Sequence, residues 1–239
     1  MKFKKNNKNI ITFRAQNEHV WKVREKPFPS SNALPEWWKE MKPYSNLENK
    51  FKLNPGPTVT VKKCAPALDA LTAGYIVPLW TDVFVSKEND IPLIQWSSQE
   101  VVFDTWHETQ VSKYEIPDGF SSTVLKYIHG WTIKTPPGWS CLITHPFGYQ
   151  NIPIKTISGI VDTDILETEI NTPFFIKNNF EGIIEKGTPM FQIIPFKRSD
   201  WQSNFILENE NQLYFNVEKL RTKLIGSYSR YLRVKKTYK

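Results

Sequence analysis

Cysteine is almost missing from this chain of 239 residues: Cys64 and Cys141 are the two present, and neither belongs to a CxxC pair. Two thiols cannot build a disulfide framework, so the sequence predicts a protein made in a reducing compartment. No run reaches the roughly eighteen apolar residues of a membrane span, and Met1-Lys-Phe-Lys-Lys-Asn-Asn lacks the apolar stretch of a signal peptide. The expectation is a soluble chain of cytoplasmic origin with no membrane partner. The phosphate-cradling loops GxGxxG and GxxxxGK[ST] do not occur, nor does the GxSxG nucleophile elbow. Histidine is also sparse, at four residues. None opens the HxD or HxE pair that puts two ligands on one strand face, since His107 is followed by Glu108 and Thr109. His129 and His145 flank Pro136-Pro-Gly138 on apolar strands, where a histidine is commonly a hydrogen-bonded core residue. No metal and no cofactor is expected.

Aromatic residues, by contrast, are plentiful: nine Trp, nine Tyr and fifteen Phe. They supply a core and leave an excess suited to surfaces that a partner covers. The formal charge of +7 is carried by the two ends of the chain. Residues 216–239 hold Lys219, Arg221, Lys223, Arg230, Arg233, Lys235, Lys236 and Lys239 against Glu218 alone, and Lys2, Lys4, Lys5 and Lys8 crowd the start. Residues 10–215 are therefore mildly acidic. Basic ends on an acidic body suit a negative partner, either nucleic acid or the acidic face of a protein; they equally serve to keep terminal segments solvated.

In chain order, residues 1–25 read as a basic arm with a first strand at Ile10–Phe13. Residues 26–198 read as one β-rich domain, and 199–239 as a polar connection from Ser199 to Gln212 followed by a basic helix. A short helix follows Pro35 and ends before Pro43. Its Trp37 and Trp38 point about 100° apart, which directs at least one of them away from the core and marks both as candidate partner contacts. Thr58–Val61 and Tyr75–Val85 have β character. Cys64–Tyr75 contains a brief helix with Gly74 as its C′ residue, and Ile91–Trp96 with Glu100–Trp106 reads as a hairpin. In Val124–Thr135 the odd positions Leu125, Tyr127, His129, Trp131 and Ile133 alternate with mostly polar ones, the pattern of one strand. From Trp131 to Arg198, short apolar runs are cut by Pro-Pro-Gly, His-Pro-Phe-Gly, Asn-Asn-Phe-Glu-Gly and Lys-Gly-Thr-Pro, as in a sheet of many short strands. Beyond Phe215, Val217, Leu220, Leu224, Tyr228, Tyr231 and Leu232 recur every three or four residues, predicting an amphipathic helix over 216–235 with a basic outer face. The fold class is thus mainly β, a β-clip or β-sandwich-like single domain with a short N-terminal helix and a C-terminal amphipathic basic helix.

The Pro136-Pro-Gly138 turn is similar to the second motif of cupins, but the histidine expected three residues after the glycine is Cys141, which disfavours the metal-binding form and leaves a jelly-roll scaffold open. Gly159-Ile-Val-Asp-Thr-Asp164 followed by Gly187-Thr-Pro-Met-Phe-Gln-Ile-Ile194, with Ile133-Lys-Thr-Pro-Pro-Gly138 before them, resembles the dUTPase family over 131–196. The resemblance implies a β-clip core, with Asp162 (and beside it Asp164) as the water-activating carboxylate, Gly159 beside a bound base and Gln192 near a subunit contact. The sequence departs from that family where a tyrosine would lie under the sugar, which is Ile165, and where Arg-Ser-Gly would hold the phosphates, which is Ser140-Cys-Leu-Ile-Thr-His-Pro146. A lysine-rich segment replaces the glycine-rich arm.

Thr60–Tyr75, Leu34-Pro-Glu-Trp-Trp-Lys39 and Gly187–Arg198 together resemble an uncharacterised family of tailed, mainly marine, bacteriophages. That resemblance implies a virion component made in the host cytoplasm, and β-clips serve phages as trimeric capsid decorations. The expected function is a non-enzymatic virion structural protein (capsid decoration, minor capsid, neck or tail), a homo-oligomer touching other virion proteins through Trp37, Trp38 and the basic helix. The alternatives are a dUTPase-like nucleotide hydrolase and a nucleic-acid-binding protein using the basic tail.

Overall fold

The computed structural model describes residues 9–45, 58–88, 91–207, Tyr228 and 232–239. The first third of the chain holds β1 (Thr12–Ala15), α1 (Glu18–Val23), β2 (Phe28–Pro29), α2 (Glu36–Glu40), β3 (Tyr44–Ser45), β4 (Thr58–Val59) and α3 (Ala65–Leu71). The middle holds β5 (Tyr75–Pro78), β6 (Val83–Glu88), β7 (Ile91–Trp96), β8 (Phe103–Thr105), α4 (Glu108–Val111), β9 (Leu125–Tyr127) and β10 (Trp131–Lys134). Then follow β11 (Trp139–Thr144), β12 (Ile154–Thr156), β13 (Gly159–Val161), β14 (Thr172–Ile176), β15 (Gly182–Ile184) and β16 (Pro189–Lys197). The protein is mainly β, built of several antiparallel sheets. The sheets run β13-β11-β16-β5-β2, β12-β14-β9-β8 and β15-β6-β7, with the pairs β1-β10 and β3-β4.

β16 is the spine. It pairs with β11 from Trp139↔Lys197 to Thr144↔Gln192 and, on its other edge, with β5. Its Phe191 is fully buried and lies 6.4 Å from Tyr127 of β9, so the five- and four-stranded sheets meet through aromatic rings. Phe103 of β8 continues the contact edge-on, 5.9 Å from Tyr127 and 4.8 Å from Phe174 of β14. Burying each such ring contributes about 1.5–3 kcal/mol, and edge-to-face pairing adds roughly 0.5–1.5 kcal/mol.

The four punctuating motifs of 131–198 all seat turns: at Pro137-Gly138, Phe147-Gly148, Asn178-Asn179 and Lys186-Gly187. The alternation in 124–135 is right for burial, since Leu125, Tyr127, His129, Trp131 and Ile133 are all inside. It is wrong for continuity. Gly130 adopts φ +80 and breaks the run into β9 and β10, which join different sheets. The predicted hairpin of Ile91–Trp96 with Glu100–Trp106 also re-pairs. β7 joins β6, with Val83 opposite Trp96, while β8 pairs with β9. β1 sits two residues later than expected, because its register with β10 (Thr12↔Lys134 to Ala15↔Trp131) fixes it. Most of the predicted helix 216–235 lies outside the described residues, and residues 233–239 have no regular secondary structure.

Gly74 serves a different purpose from a C′ glycine. α3 is capped at Thr72, two residues earlier, and Gly74 takes φ +64 where the chain enters β5 alongside β16. A Cβ placed on it would stand 1.8 Å from the Ile193 carbonyl oxygen, whereas a Cβ on Gly138, at φ +82, meets nothing within 4 Å. Gly138→Ala is therefore expected to cost only the left-handed strain, about 1–2 kcal/mol. Gly74→Ala adds a backbone collision and is expected to cost roughly 4 kcal/mol or more. Denaturant unfolding of the two variants checks the difference; equal losses would refute the close approach.

Candidate functional site

The Gly159–Asp164 segment is held in place by β11. Leu142 pairs with Ile160 and Cys141 with Val161, and on the other edge of β11 Trp139 pairs with Lys197. Strand register thus carries Asp162 and Asp164 to the same end of the sheet as Arg198, the residue that follows β16. Arg198 N–H donates to the Gly138 carbonyl at 2.9 Å, which ties the chain back to the Pro-Pro-Gly turn.

The guanidinium closes the cluster. Arg198 Nη1 donates to Asp164 Oδ1 at 2.8 Å, Asp162 Oδ1 at 3.2 Å, Ser140 Oγ at 3.0 Å and the Trp139 carbonyl at 3.0 Å, and Nη2 donates to Asp164 Oδ2. Asp164 thereby has the two-oxygen, two-nitrogen fork that suits arginine and carboxylate. Its Oδ2 also accepts the Gly138 N–H at 2.8 Å. The Arg198 guanidinium, with the Gly138 amide behind it, holds the Asp164 carboxyl down at about 2. Asp162 accepts the Ser140 hydroxyl at 2.6 Å while its side chain stays half exposed. Between them Thr163 is fully buried, its hydroxyl bonded to Thr135 Oγ1 at 2.7 Å and donating to Cys141 Sγ at 3.3 Å.

The Ser, Cys and His side chains near the cluster are engaged or buried. The Ser140 hydroxyl is spent on Asp162, and burial pushes the Cys141 thiol up to about 11, so no thiolate exists at neutral pH. His145 does not reach them: its Nε2 is 2.8 Å from the Tyr149 carbonyl and its Nδ1 accepts the Thr156 N–H. His129 is arranged alike, with Nε2 against the Ile170 carbonyl at 2.9 Å and Nδ1 accepting from Trp131 N–H at 3.1 Å. Both are interior histidines. Among the described residues no group of three or more His, Cys, Asp or Glu is placed to hold a metal ion.

The remaining sequence candidates separate. Gly159 is exposed, with open space where a side chain would go. Gln192, expected near a subunit contact or a ligand, is 1% exposed: it accepts Phe147 N–H at 2.9 Å and donates to the Ala70 and Ala73 carbonyls at 3.1 and 2.6 Å. Its hydrogen-bonding capacity is used inside the chain, so it reads no base. Trp38 is 3% exposed, packed edge-on against Trp37 with the Lys62 ammonium over its ring; burial removes it from any partner surface. Trp37 stays partly exposed beside a shallow cleft with Gly148 and Tyr149, its Nε1 donating to the Gly148 carbonyl at 2.7 Å. Lys219, Arg221, Lys223 and Arg230 lie outside the described residues. Lys235 is exposed, whereas Arg233 and Lys236 are both bonded to Asp69.

Sequence reasoning missed three features. Arg198 was visible as the cation closing the last strand, but only strand register brings it to the two aspartates. Asp69, the receptor of Arg233 and Lys236, carries no local signal. The 199–212 connection is less polar than expected, because Trp201, Phe205, Ile206 and Leu207 stand 90%, 92%, 81% and 102% exposed.

No protein-family model, no curated protein and no solved structure matches the chain.

Two outcomes follow from the charges. Arg198→Ala should raise the Asp164 pKa from about 2 toward the ordinary 3.8 and lower the melting temperature, with Asp164→Asn also lowering it more than Asp162→Asn does. Carbon-detected carboxyl titration checks the first part; an Asp164 pKa unmoved in the variant would refute the pairing. Burial lowers the pKa of His129 and His145 below 6.5, so as pH falls through 6.5 the unfolded chain takes up protons that the folded one refuses. Stability should therefore decline in mild acid and fall again below 3.8, where unfolded aspartate takes up a proton that the folded Asp164, paired with Arg198, refuses until about 2. Melting temperature against pH checks both steps, and imidazole NMR should find two histidines still neutral below pH 6.5.

Proposed function

We propose that the chain is a non-enzymatic structural subunit, a virion component of a tailed bacteriophage, whose 131–198 β-clip-like core is a rigid platform rather than a nucleotide site. One observation carries the non-enzymatic reading. The carboxylates that would act on a nucleotide are tied to the chain's own Arg198 and Ser140, and phosphoryl chemistry depends on cations aimed at the phosphates instead. The virion assignment rests on the motif resemblance of Leu34–Lys39, Thr60–Tyr75 and Gly187–Arg198. The exposed aromatic segment at 201–207 and Trp37 supply the kind of side chains that dominate protein interfaces. Nucleic-acid binding through the tail is a weaker reading at Arg233 and Lys236, whose side chains are held on Asp69.

Two measurements test the proposal together. Mass spectrometry of purified particles should find the protein in stoichiometric amount, and thermal shift with deoxynucleoside triphosphates and magnesium should be flat. Absence from particles refutes the virion role. A nucleotide-specific rise in melting temperature, with turnover lost in Asp162→Asn, replaces it with the dUTPase-like reading.

A further inference from the structure

Residues 233–239 lie across the body as a strap. Arg233 donates to Asp69 Oδ1 from Nε at 3.0 Å and from Nη2 at 2.6 Å, and Lys236 donates to Oδ2 at 2.7 Å. The Asp69 side chain is 14% exposed, so both of its oxygens are neutralised by the strap in a partly desolvated place. Tyr238 packs edge-on against Tyr75 at 6.1 Å, and the Tyr75 hydroxyl donates to the Lys239 carbonyl at 3.2 Å. Residues 236–239 form one wall of an open cleft of about 790 Å³ whose lining also includes Ile10, Ile11, Pro136, Trp139 and Pro195. Each body therefore carries, in Asp69 and Tyr75, a receptor complementary in charge to a strap of this sequence.

The segment before the strap tells which copy the strap belongs to. Trp201, Phe205, Ile206 and Leu207 are 81–102% exposed while the strap sits on its own body. Four large apolar side chains in one short stretch, none covered by the described residues, mark a surface suited to burial by association. Tyr228 is tied into the strap by the Arg233 N–H, which donates to its carbonyl at 2.9 Å, and the 20 residues 208–227 before it can span up to about 70 Å. That reach exceeds the width of a body of roughly 200 residues, whose radius of gyration is about 17 Å. Covalent geometry thus allows the strap to reach either its own receptor or a neighbour's. The contacts made at the receptor are the same in both cases, so the balance is set by what else becomes covered. With the strap on its own body the apolar stretch is left uncovered by the described residues; exchange would carry it across the junction between two bodies.

We propose that the strap of one copy docks on Asp69 and Tyr75 of a second copy, with Trp201–Leu207 buried at the crossing, so that the chain assembles by exchange of its 233–239 segment. The proposal deepens the structural-subunit reading, on which it rests for its role though not for its geometry, by naming a second copy as partner.

A charge swap tests it by sedimentation. Wild type should be oligomeric. Asp69→Lys alone, and Arg233→Glu/Lys236→Glu alone, should each sediment as monomers because strap and receptor then repel. Their equimolar mixture should regain the oligomer, since each strap now fits only the other chain's receptor. Trp201→Ser/Phe205→Ser should weaken association by roughly tenfold or more with the melting temperature of the monomer unchanged. A wild type monomeric at every concentration overturns the proposal, as does a mixture of folded variants that stays monomeric. If charge reversal unfolds the chain, the Trp201→Ser/Phe205→Ser protein, altered only at exposed positions, decides alone: oligomers of unchanged strength in it overturn the exchange. A monomer that nonetheless occurs in particles removes the exchange and leaves the structural role, while an oligomer absent from particles does the reverse.

Discussion

Tyr127 is the side chain on which the two larger sheets depend. Its ring belongs to β9 and touches Phe103 and Phe191, while its hydroxyl donates to the Pro78 carbonyl at 2.7 Å and accepts the Trp80 N–H at 3.0 Å. The hydroxyl thus takes over two backbone groups just where β5 ends and no strand partner remains for them. Leaving either group unpaired in the interior would cost on the order of 1–3 kcal/mol. Burial in turn keeps the phenol protonated, its pKa held far above the ordinary value. Around it the indole of Trp80 donates to the Ile128 carbonyl, and the Arg24 guanidinium stacks on the Trp80 ring at 4.5 Å while pairing with Glu100. The bend at 128–130, which separates β9 from β10, is therefore lined by groups whose polar atoms face inward to meet it.

Much of this was legible in the sequence, and the parts that were not share a physical reason. Alternation from Leu125 to Ile133 marked the right inward side chains, because side-chain direction is a local property of extended backbone. It did not mark the break at Gly130, since a left-handed glycine preserves the alternation on both sides while redirecting the strand. Turn chemistry located Pro137-Gly138, Phe147-Gly148, Asn178-Asn179 and Lys186-Gly187, each written in residues that favour turns. Pairing was beyond reach: β7 and β8 look like neighbours in sequence, yet β7 completes a hairpin with β6 and β8 joins β9. For the candidate site, the aspartates were visible as a motif while their partner was not. Asp162 and Arg198 are 36 residues apart, and only the flanking of β11 by β13 and β16 makes them neighbours.

The Arg198 cluster and the Asp69 cluster use one device at two places. In each, a carboxylate is met by cations from a later part of the chain: Arg198 after β16, Arg233 and Lys236 in the strap. In each, the carboxyl is held below its ordinary range by the guanidinium first. The basic excess at the end of the chain is thus partly a matched set rather than a diffuse field. Arg233 and Lys236 make directed contacts with a defined acceptor, Asp69, which distinguishes these two from the interchangeable lysines of a solvated terminus.

The central place of β16 has a consequence for how the chain comes into being. β5 and β16 are partners in the middle of the five-stranded sheet, and more than a hundred residues are synthesised between them. Until Pro189–Lys197 leave the ribosome, the fully buried edge of Tyr75–Pro78 has no strand to pair with on that side, and β11 waits likewise. Non-local pairing of this kind slows folding and leaves apolar edges bare in the meantime. The order of synthesis therefore makes the five-stranded sheet one that closes late, with the last described strand as its keystone.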